Sequence, residues 1–180
     1  MTRSFQTMVL IENKDGKFLL GKKLQKIGMD KFNGPGGKVE VETSGDGEAQ
    51  ADERREERLT EKIKDGAARE AGEETNLTIA TENLETKAVL KIDFPDNNSI
   101  VLYVYKTDQF EGVPSVPKGE RDKIESWNWY SKEDIADMIR KKLFLESDAS
   151  WLPEVLAGKE IRGFITYKKK KIVLYWIKQI

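Results

Sequence analysis

The sequence predicts one α+β domain built on a mixed or antiparallel sheet with two or three helices. Three observations carry this reading. The chain has 180 residues, the length of a single domain. Short apolar runs bounded by turn residues recur along it, which is the pattern of strands. Between them lie longer stretches of helix formers. Hydrophobic residues make up 38 % and there are 14 glycines, an ordinary share that supplies a core of normal size.

The elements follow in order. Gln6–Glu12 is β-branched and apolar and reads as a strand. Asn13-Lys14-Asp15-Gly16 carries turn chemistry, and Lys17–Gly21 reads as the hairpin partner. Phe32–Gly37 holds three glycines and a proline, so it is a shaped loop and not a helix or central strand. Asp65–Thr75 is helical in composition, with Asn76 as its C-cap. Lys87–Phe94 and Ser99–Thr107 alternate, separated by Pro95-Asp96-Asn97-Asn98, and predict a hairpin. Gly112–Gly119 is a loop and Glu125–Tyr130 a short strand. Ser131 caps a helix over Lys132–Lys141. Gly163–Tyr167 and Lys171–Ile177 flank a lysine run and read as a closing hairpin.

Charge and absences narrow the function. The chain carries 31 basic and 32 acidic residues, a net charge of −1, so no basic surplus argues for nucleic-acid or anionic-membrane binding. It has no Cys and no His. Disulfides, thiol catalysis, imidazole acid–base chemistry and thiolate or imidazole metal sites are therefore excluded. A metal, if used, is a hard cation on oxygen ligands. Met1–Gln6 has no signal-peptide core and no apolar run approaches the ~20 residues of a membrane span. A cytoplasmic protein without membrane or nucleic-acid partners is expected, acting as a monomer.

The strongest constellation is Arg69-Glu70-Ala71-Gly72-Glu73-Glu74. On a helix, Glu70, Glu73 and Glu74 share a face at i, i+3 and i+4. Three carboxylates so placed repel one another unless a cation sits among them, so the spacing points either to a divalent-cation site or to a solvated acidic face. Upstream, the bare backbone of Gly34–Gly37 can approach a phosphate or offer a carbonyl to a metal. It is not a P-loop, because Lys38 is followed by Val39 rather than Ser or Thr.

These residues together resemble the Nudix family. Gly36-Gly37-Lys38-Val39, then Glu61, seven residues, Arg69-Glu70-x-x-Glu73-Glu74 and Leu77 look like the Nudix box, G-x5-E-x7-R-E-U-x-E-E-x-G-U with U a bulky aliphatic. The resemblance extends to nearly the whole chain, 1–180, and is greatest to the MutT-type branch that contains oxidised-purine nucleoside triphosphatases (8-oxo-dGTP diphosphatases). Thr7 in the first strand, Lys23 after Leu-Leu-Gly, Phe32-Asn33-Gly34, Asp148-x-x-Trp151-Leu152-Pro153 and Gly163-Phe164 all look like that branch.

The resemblance implies the Nudix fold, a mixed central sheet sandwiched between helices (α/β/α). It implies Mg²⁺-dependent hydrolysis, with Mn²⁺ as a substitute, of a nucleoside triphosphate to monophosphate and pyrophosphate, acting on modified purines to cleanse the nucleotide pool. Other Nudix substrates, a dinucleotide, nucleotide sugar or capped RNA, stand as an alternative, and a non-catalytic Nudix-fold module as another. Glu70, Glu73 and Glu74, with the Gly36 carbonyl, are the implied metal ligands. One of these glutamates could instead be the base. Of Glu120, Asp122 and Glu125, Glu120 is preferred as a further ligand. Arg69 is expected to hold Glu61 by a bidentate pair. Substrate contacts are expected from Thr7, Lys23, Ile27, Asn33, Gly36, Gly37, Lys38, Leu145 and Asp148.

The sequence also departs from the family pattern. Gly37 and Glu61 are 24 positions apart where the box has 6, an insertion of 18 residues. Glu42 is a second candidate for the box's first glutamate, but Glu61 keeps the spacing to Arg69. Ala71 stands where a large aliphatic is usual, and Asn76 where Gly is. Leu145 takes the place of a stacking Trp, Ser147 that of an Asp, and Ile27 that of a Phe. The charged insertion at 41–60 either lengthens the catalytic helix backward or bulges away as a loop. An exposed, largely helical excursion is expected.

Overall fold

Alternating side chains in the first strand divide the molecule into two packing layers. The computed structural model describes residues 2–25, 28–41, 53–169 and 171–180. In β1 (Thr2–Ile11), Met8 and Leu10 point to one side and Val9 and Ile11 to the other, all buried. β1 lies inside a six-stranded mixed sheet. It pairs antiparallel with β4 (Lys38–Val39) and parallel with β6 (Asn98–Thr107). β6 forms the expected antiparallel hairpin with β5 (Glu85–Asp93). β5 pairs in parallel with β8 (Ile161–Lys168), and β9 (Lys171–Gln179) closes the edge antiparallel to β8.

The first hairpin expectation needs correction. β2 (Phe18–Lys23) leaves β1 after a single bridge, Glu12 to Phe18, and enters a separate antiparallel sheet. There it lies between β3 (Phe32–Asn33) and β7 (Ile124–Tyr130). The physical reason is that β1 is apolar on both faces. It needs strands on both sides and cover above and below, so it takes a central place, and β2 packs across it.

Helix α1 (Glu53–Thr75) covers one face of the large sheet. It buries Ile63, Ala67, Ala68 and Ala71 beside Val9, Ile11 and Tyr105. Ala71 is fully buried in this cluster, which also holds the large side chains of Tyr105 and Trp127. The helix ends at Asn76, whose φ of +60° is the left-handed conformation expected of it and whose N–H donates to the Gly72 carbonyl. On the opposite face, α2 (Lys132–Arg140) and α3 (Glu146–Leu156) pack Ile135, Met138, Trp151, Leu152 and Val155 against Leu10, Leu90 and Val104. Ser131 caps α2 as expected, in a reciprocal capping box with Asp134. The architecture is thus a mixed α+β sandwich, the fold class read from the sequence. Among the described residues, no helix is long and apolar enough to cross a membrane.

The insertion resolves in part. Its second half is helical from Glu53 and lengthens α1 backward, with Glu56, Glu57, Arg58 and Thr60 exposed. The helical stretch is largely exposed as expected, although Leu59, partly buried, packs against the core cluster under α1. Residues 42–52, including Glu42, lie outside the described residues, as does Ile27.

The seating of α1 on β4 depends on Gly66, where an added Cβ would stand 2.7 Å from Val39 Cγ2. Ala at a helix interior gains about 1 kcal/mol over Gly, whereas overpacking a core contact costs about 1–3 kcal/mol. Gly66→Ala should therefore lower the urea midpoint of unfolding. A raised midpoint would mean that α1 is free to shift away from β4.

Candidate active site

The glycine loop after β3 and the last turns of α1 meet beside β1, and backbone contacts hold them there. Val9 N–H donates to the Pro35 carbonyl at 2.8 Å and Thr7 N–H to the Gly37 carbonyl at 2.9 Å. Thr7 Oγ1 also lies 3.3 Å from that carbonyl. The carbonyls on both sides of Gly36 are thus taken. At Gly36 φ is +148°, and a Cβ would sit 2.2 Å from the Thr7 carbonyl oxygen, so only glycine permits the approach.

Two α1 carboxylates lie on this loop. Glu74 Oε2 accepts the Gly36 N–H at 2.9 Å, and a Cβ on Gly37 would stand 2.2 Å from Glu70 Oε2. Trp127 Nε1 donates to the Glu74 carbonyl at 2.8 Å and fixes the end of the helix. Burial pushes the Glu74 carboxyl up to about 7; the Gly36 N–H opposes this, the Glu120 and Glu70 charges add to it, and Lys23 opposes it.

Glu120, in the single 3-10 turn Lys118–Glu120 before β7, is the outside carboxylate whose charge reaches Glu74. Its Oε1 pairs with Lys123 at 2.7 Å, and its Oε2 is buried without a hydrogen-bond partner. Asp122 instead accepts from Gln25, and Glu125 pairs with Lys22.

Arg69 does not hold Glu61. Its guanidinium lies 3.0 Å from both carboxylate oxygens of Glu73 and 2.5 Å from Glu70 Oε1. An i,i+4 neighbour and an adjacent residue are simply nearer than a side chain two turns back, and Glu61 is exposed. Glu73 lies on the outer side of the helix with Arg69 rather than against the loop. Among the described residues, no three carboxylates are gathered tightly enough to enclose an ion as they stand. The donor set nevertheless suits a hard cation: burial and neighbouring negative charge disfavour the Glu74 anion, and Glu120 Oε2 is buried without a partner.

A cavity of about 390 Å³ adjoins the loop. It is lined by Thr7, Lys23, Asn33, Gly36, Gly37, Lys38, Leu145 and Asp148, which brings together every described substrate-contact candidate. The sequence reading missed its apolar wall, Ile92, Phe94, Ile100 and Leu102. These are the alternate positions on one face of the β5–β6 hairpin, so the period-2 pattern held the signal. Tyr167 was missed too; it stacks on Phe94 at 5.5 Å, and its hydroxyl accepts the Ser147 N–H at 3.1 Å. Asn33 Oδ1 is buried and unpartnered. Leu145 precedes α3, and Asp148 in its first turn is 5 % exposed. Burial raises the Asp148 carboxyl to about 6. Trp151, Lys23 and Ser147 pull it back only weakly: the Ser147 hydroxyl is 3.5 Å away, and Trp151 Nε1 makes no hydrogen bond of normal geometry.

Comparison with known proteins gives the family. The NUDIX domain profile matches residues 2–155. An oxidized purine nucleoside triphosphate hydrolase of Danio rerio is 27 % identical over 174 residues, covering 96 % of this chain and 92 % of that one. A MutT protein from Bacillus halodurans superposes with a TM-score of 0.67 at 20 % identity, covering 97 % of each chain. A bifunctional NMN adenylyltransferase/ADP ribose pyrophosphatase from Francisella tularensis, in complex with AMP and a Mn ion, gives a TM-score of 0.55 at 20 % identity. It is covered over 87 % of this chain and 41 % of its own.

Asp148 gives the site a pH signature. The folded protein keeps this proton up to about pH 6, whereas the ordinary value is 3.8. Between those values the folded state holds the extra proton, so stability is complete at low pH and falls as pH rises through 6. The loss is on the order of 3 kcal/mol at neutral pH. Asp148→Asn should abolish that component, so its advantage over wild type in urea unfolding grows from pH 4 to pH 8. Parallel pH curves for the two proteins would contradict a buried carboxyl at this place.

Proposed function

This chain belongs to the Nudix family, and we propose that within it the protein is a divalent-metal-dependent nucleoside triphosphate pyrophosphohydrolase acting on modified purine nucleotides. The family's hydrolases cleave phosphoanhydride bonds and generally use divalent metals. The observation that carries the finer reading is that Glu70 and Glu74 meet the glycine loop, within reach of the Glu120 charge, where the same loop borders a nucleobase-sized cavity. The Danio rerio relative, named for oxidized purine nucleoside triphosphates, supports the same substrate class.

In this reading Glu70, Glu74, Glu120 and the Gly36 carbonyl would hold Mg²⁺ or Mn²⁺, and Glu73 would join them only on leaving Arg69. When bound, the ion neutralises phosphate charge and makes water a better nucleophile. The proton of the attacking water would pass to whichever of these carboxylates is left free of the ion, since an ion on Glu74 would itself pull that carboxyl below the value of about 7 that burial gives it. Lys23, whose charge reaches both Glu74 and Asp148, spans the distance between cluster and cavity and meets the phosphates. Asn33 offers a donor and an acceptor to a base edge, and Asp148, whose carboxyl burial raises to about 6, accepts from a purine N–H when ionised and donates to a purine acceptor when protonated. Phe94 and Leu145 supply the apolar walls. We take residues 1–180 to act as this one unit.

A second reading rests on a separate observation. An open cavity of about 1000 Å³, lined by Lys38, Lys62, Arg69 and Glu70, lies beyond the carboxylates and shares Lys38 with the base cavity. It has room for a larger leaving group, as in a dinucleotide or nucleotide sugar.

A nucleotide panel with Mg²⁺ separates the two. The preferred substrate should be a purine triphosphate such as 8-oxo-dGTP, yielding monophosphate and pyrophosphate. Orthophosphate plus diphosphate, or faster cleavage of a dinucleotide, would contradict this. Glu74→Gln should keep the fold and reduce kcat roughly 10²-fold or more. Asn33→Ala should raise KM for the preferred base and leave other bases unchanged; equal effects on all bases would move Asn33 out of base recognition.

A further inference from the structure

The part of the large sheet that α1 leaves uncovered carries a surface the hydrolase site does not use. α1 packs over β1 and β4, and Tyr103 on β6 lies within reach of Glu56 near the start of the helix and of Arg3 and Arg162. Beyond Tyr103 the same sheet face continues across β5, β8 and β9. Strand register aligns Val101, Lys91, Phe164 and Trp176 in one row, and Tyr103, Val89, Arg162 and Lys178 in the next. α3 packs on the other face of β8 and β9, through Ile161 and Ile165.

This face is aromatic and basic. Phe164 and Trp176 stack at 6.1 Å, and Trp176 is 50 % exposed, unusual for the largest side chain in the middle of a strand. Arg162 and Lys178 are exposed beside them, and Lys168, Lys169 and Lys171 continue the positive charge into the turn of the β8–β9 hairpin. The carboxylate in the adjoining row, Asp93, is already paired with Lys91 at 3.0 Å. The chain's near-zero net charge conceals this local excess, because the acids that balance it are spread along the rest of the chain.

We propose that the open face of β5, β8 and β9 binds single-stranded nucleic acid, with bases stacking on Trp176 and phosphates meeting Arg162 and Lys178. A sheet face presenting stacked aromatics among cations suits unpaired bases, whose π-faces are free, and not a duplex, whose bases are covered. A patch of this width holds about two bases. A second copy of the chain is disfavoured by charge, because face-to-face packing of this surface brings the Arg162 and Lys178 of one copy against those of the other. An anionic lipid surface would meet the cations, but the ring pair lies within the strands rather than at a loop tip able to enter a bilayer.

The test is fluorescence anisotropy of labelled oligothymidylate and oligouridylate with the full-length protein, at several salt concentrations. Binding should quench tryptophan emission and weaken as salt rises. Trp176→Ala should reduce affinity about tenfold. Arg162→Glu with Lys178→Glu should abolish binding and flatten the salt dependence. All variants should hydrolyse nucleoside triphosphate at the wild-type rate, and saturating triphosphate should not displace the oligonucleotide. Absence of binding, binding unaffected by these substitutions, displacement by triphosphate, or retention on phosphatidylserine vesicles without oligonucleotide binding would each overturn the proposal.

Discussion

The site depends on one close approach: the bare backbone of Gly36 and Gly37 lying between the first strand and the carboxylates of α1. Thr7 and Val9 hold the loop from one side by backbone hydrogen bonds, and Glu70 and Glu74 press on it from the other. A side chain at Gly36 would meet the Thr7 backbone and push the two apart, and one at Gly37 would displace the Glu70 side chain. The approach also withdraws Glu74 from water in the company of Glu120, which is why its proton is held near neutral pH. Burial of like charges without a cation is unfavourable. Other contacts offset that cost, chiefly the α1 core of Ile63, Ala67 and Ala71 and the anchor from Trp127 to the Glu74 carbonyl.

The central sheet then sorts functions by face and by edge. Strands alternating on both faces place Val9 and Ile11 under α1 and turn Ile92, Ile100 and Leu102 toward the cavity. β2 departs from β1 into the smaller sheet, and this departure carries Lys23 to the cavity and lets β3 bring Asn33 to the same place. The cavity therefore lies between the two sheets, with Asp148 of α3 in its wall.

Much of this was legible in the sequence wherever a local rule governs. The β5–β6 and β8–β9 hairpins, the Ser131 cap and the Asn76 terminus each depend on a few neighbouring residues, and the carboxylate spacing on α1 reads directly from helical geometry. Long-range choices were not legible. The turn Asn13–Gly16 suggested a hairpin, but nothing local reveals that β1 finds better partners in β4 and β6. The pairing of Arg69 was misjudged for a similar reason, since the family spacing named Glu61 while nearer carboxylates were available. The direction of the insertion was open because its helix formers suit either outcome, and the burial of Leu59 decides for a longer α1 at least from Glu53. Asn and Asp are common in turns and at helix starts, so Asn33 and Asp148 gain weight only from burial, with an unpartnered oxygen in the first and a raised carboxyl pKa in the second.

The closeness of loop and helix is tested most directly at Gly37. An added Cβ there meets only the tip of the Glu70 side chain, which can swing aside, whereas at Gly36 it meets the backbone of Thr7. Gly37→Ala should therefore fold and unfold as wild type does while its carboxylates lose their shared geometry. Mn²⁺ titration followed by electron paramagnetic resonance reads the site without reference to turnover. The account predicts a bound Mn²⁺ in wild type and affinity at least tenfold weaker in Gly37→Ala, with unchanged circular dichroism. Equal Mn²⁺ affinity in both proteins would contradict it.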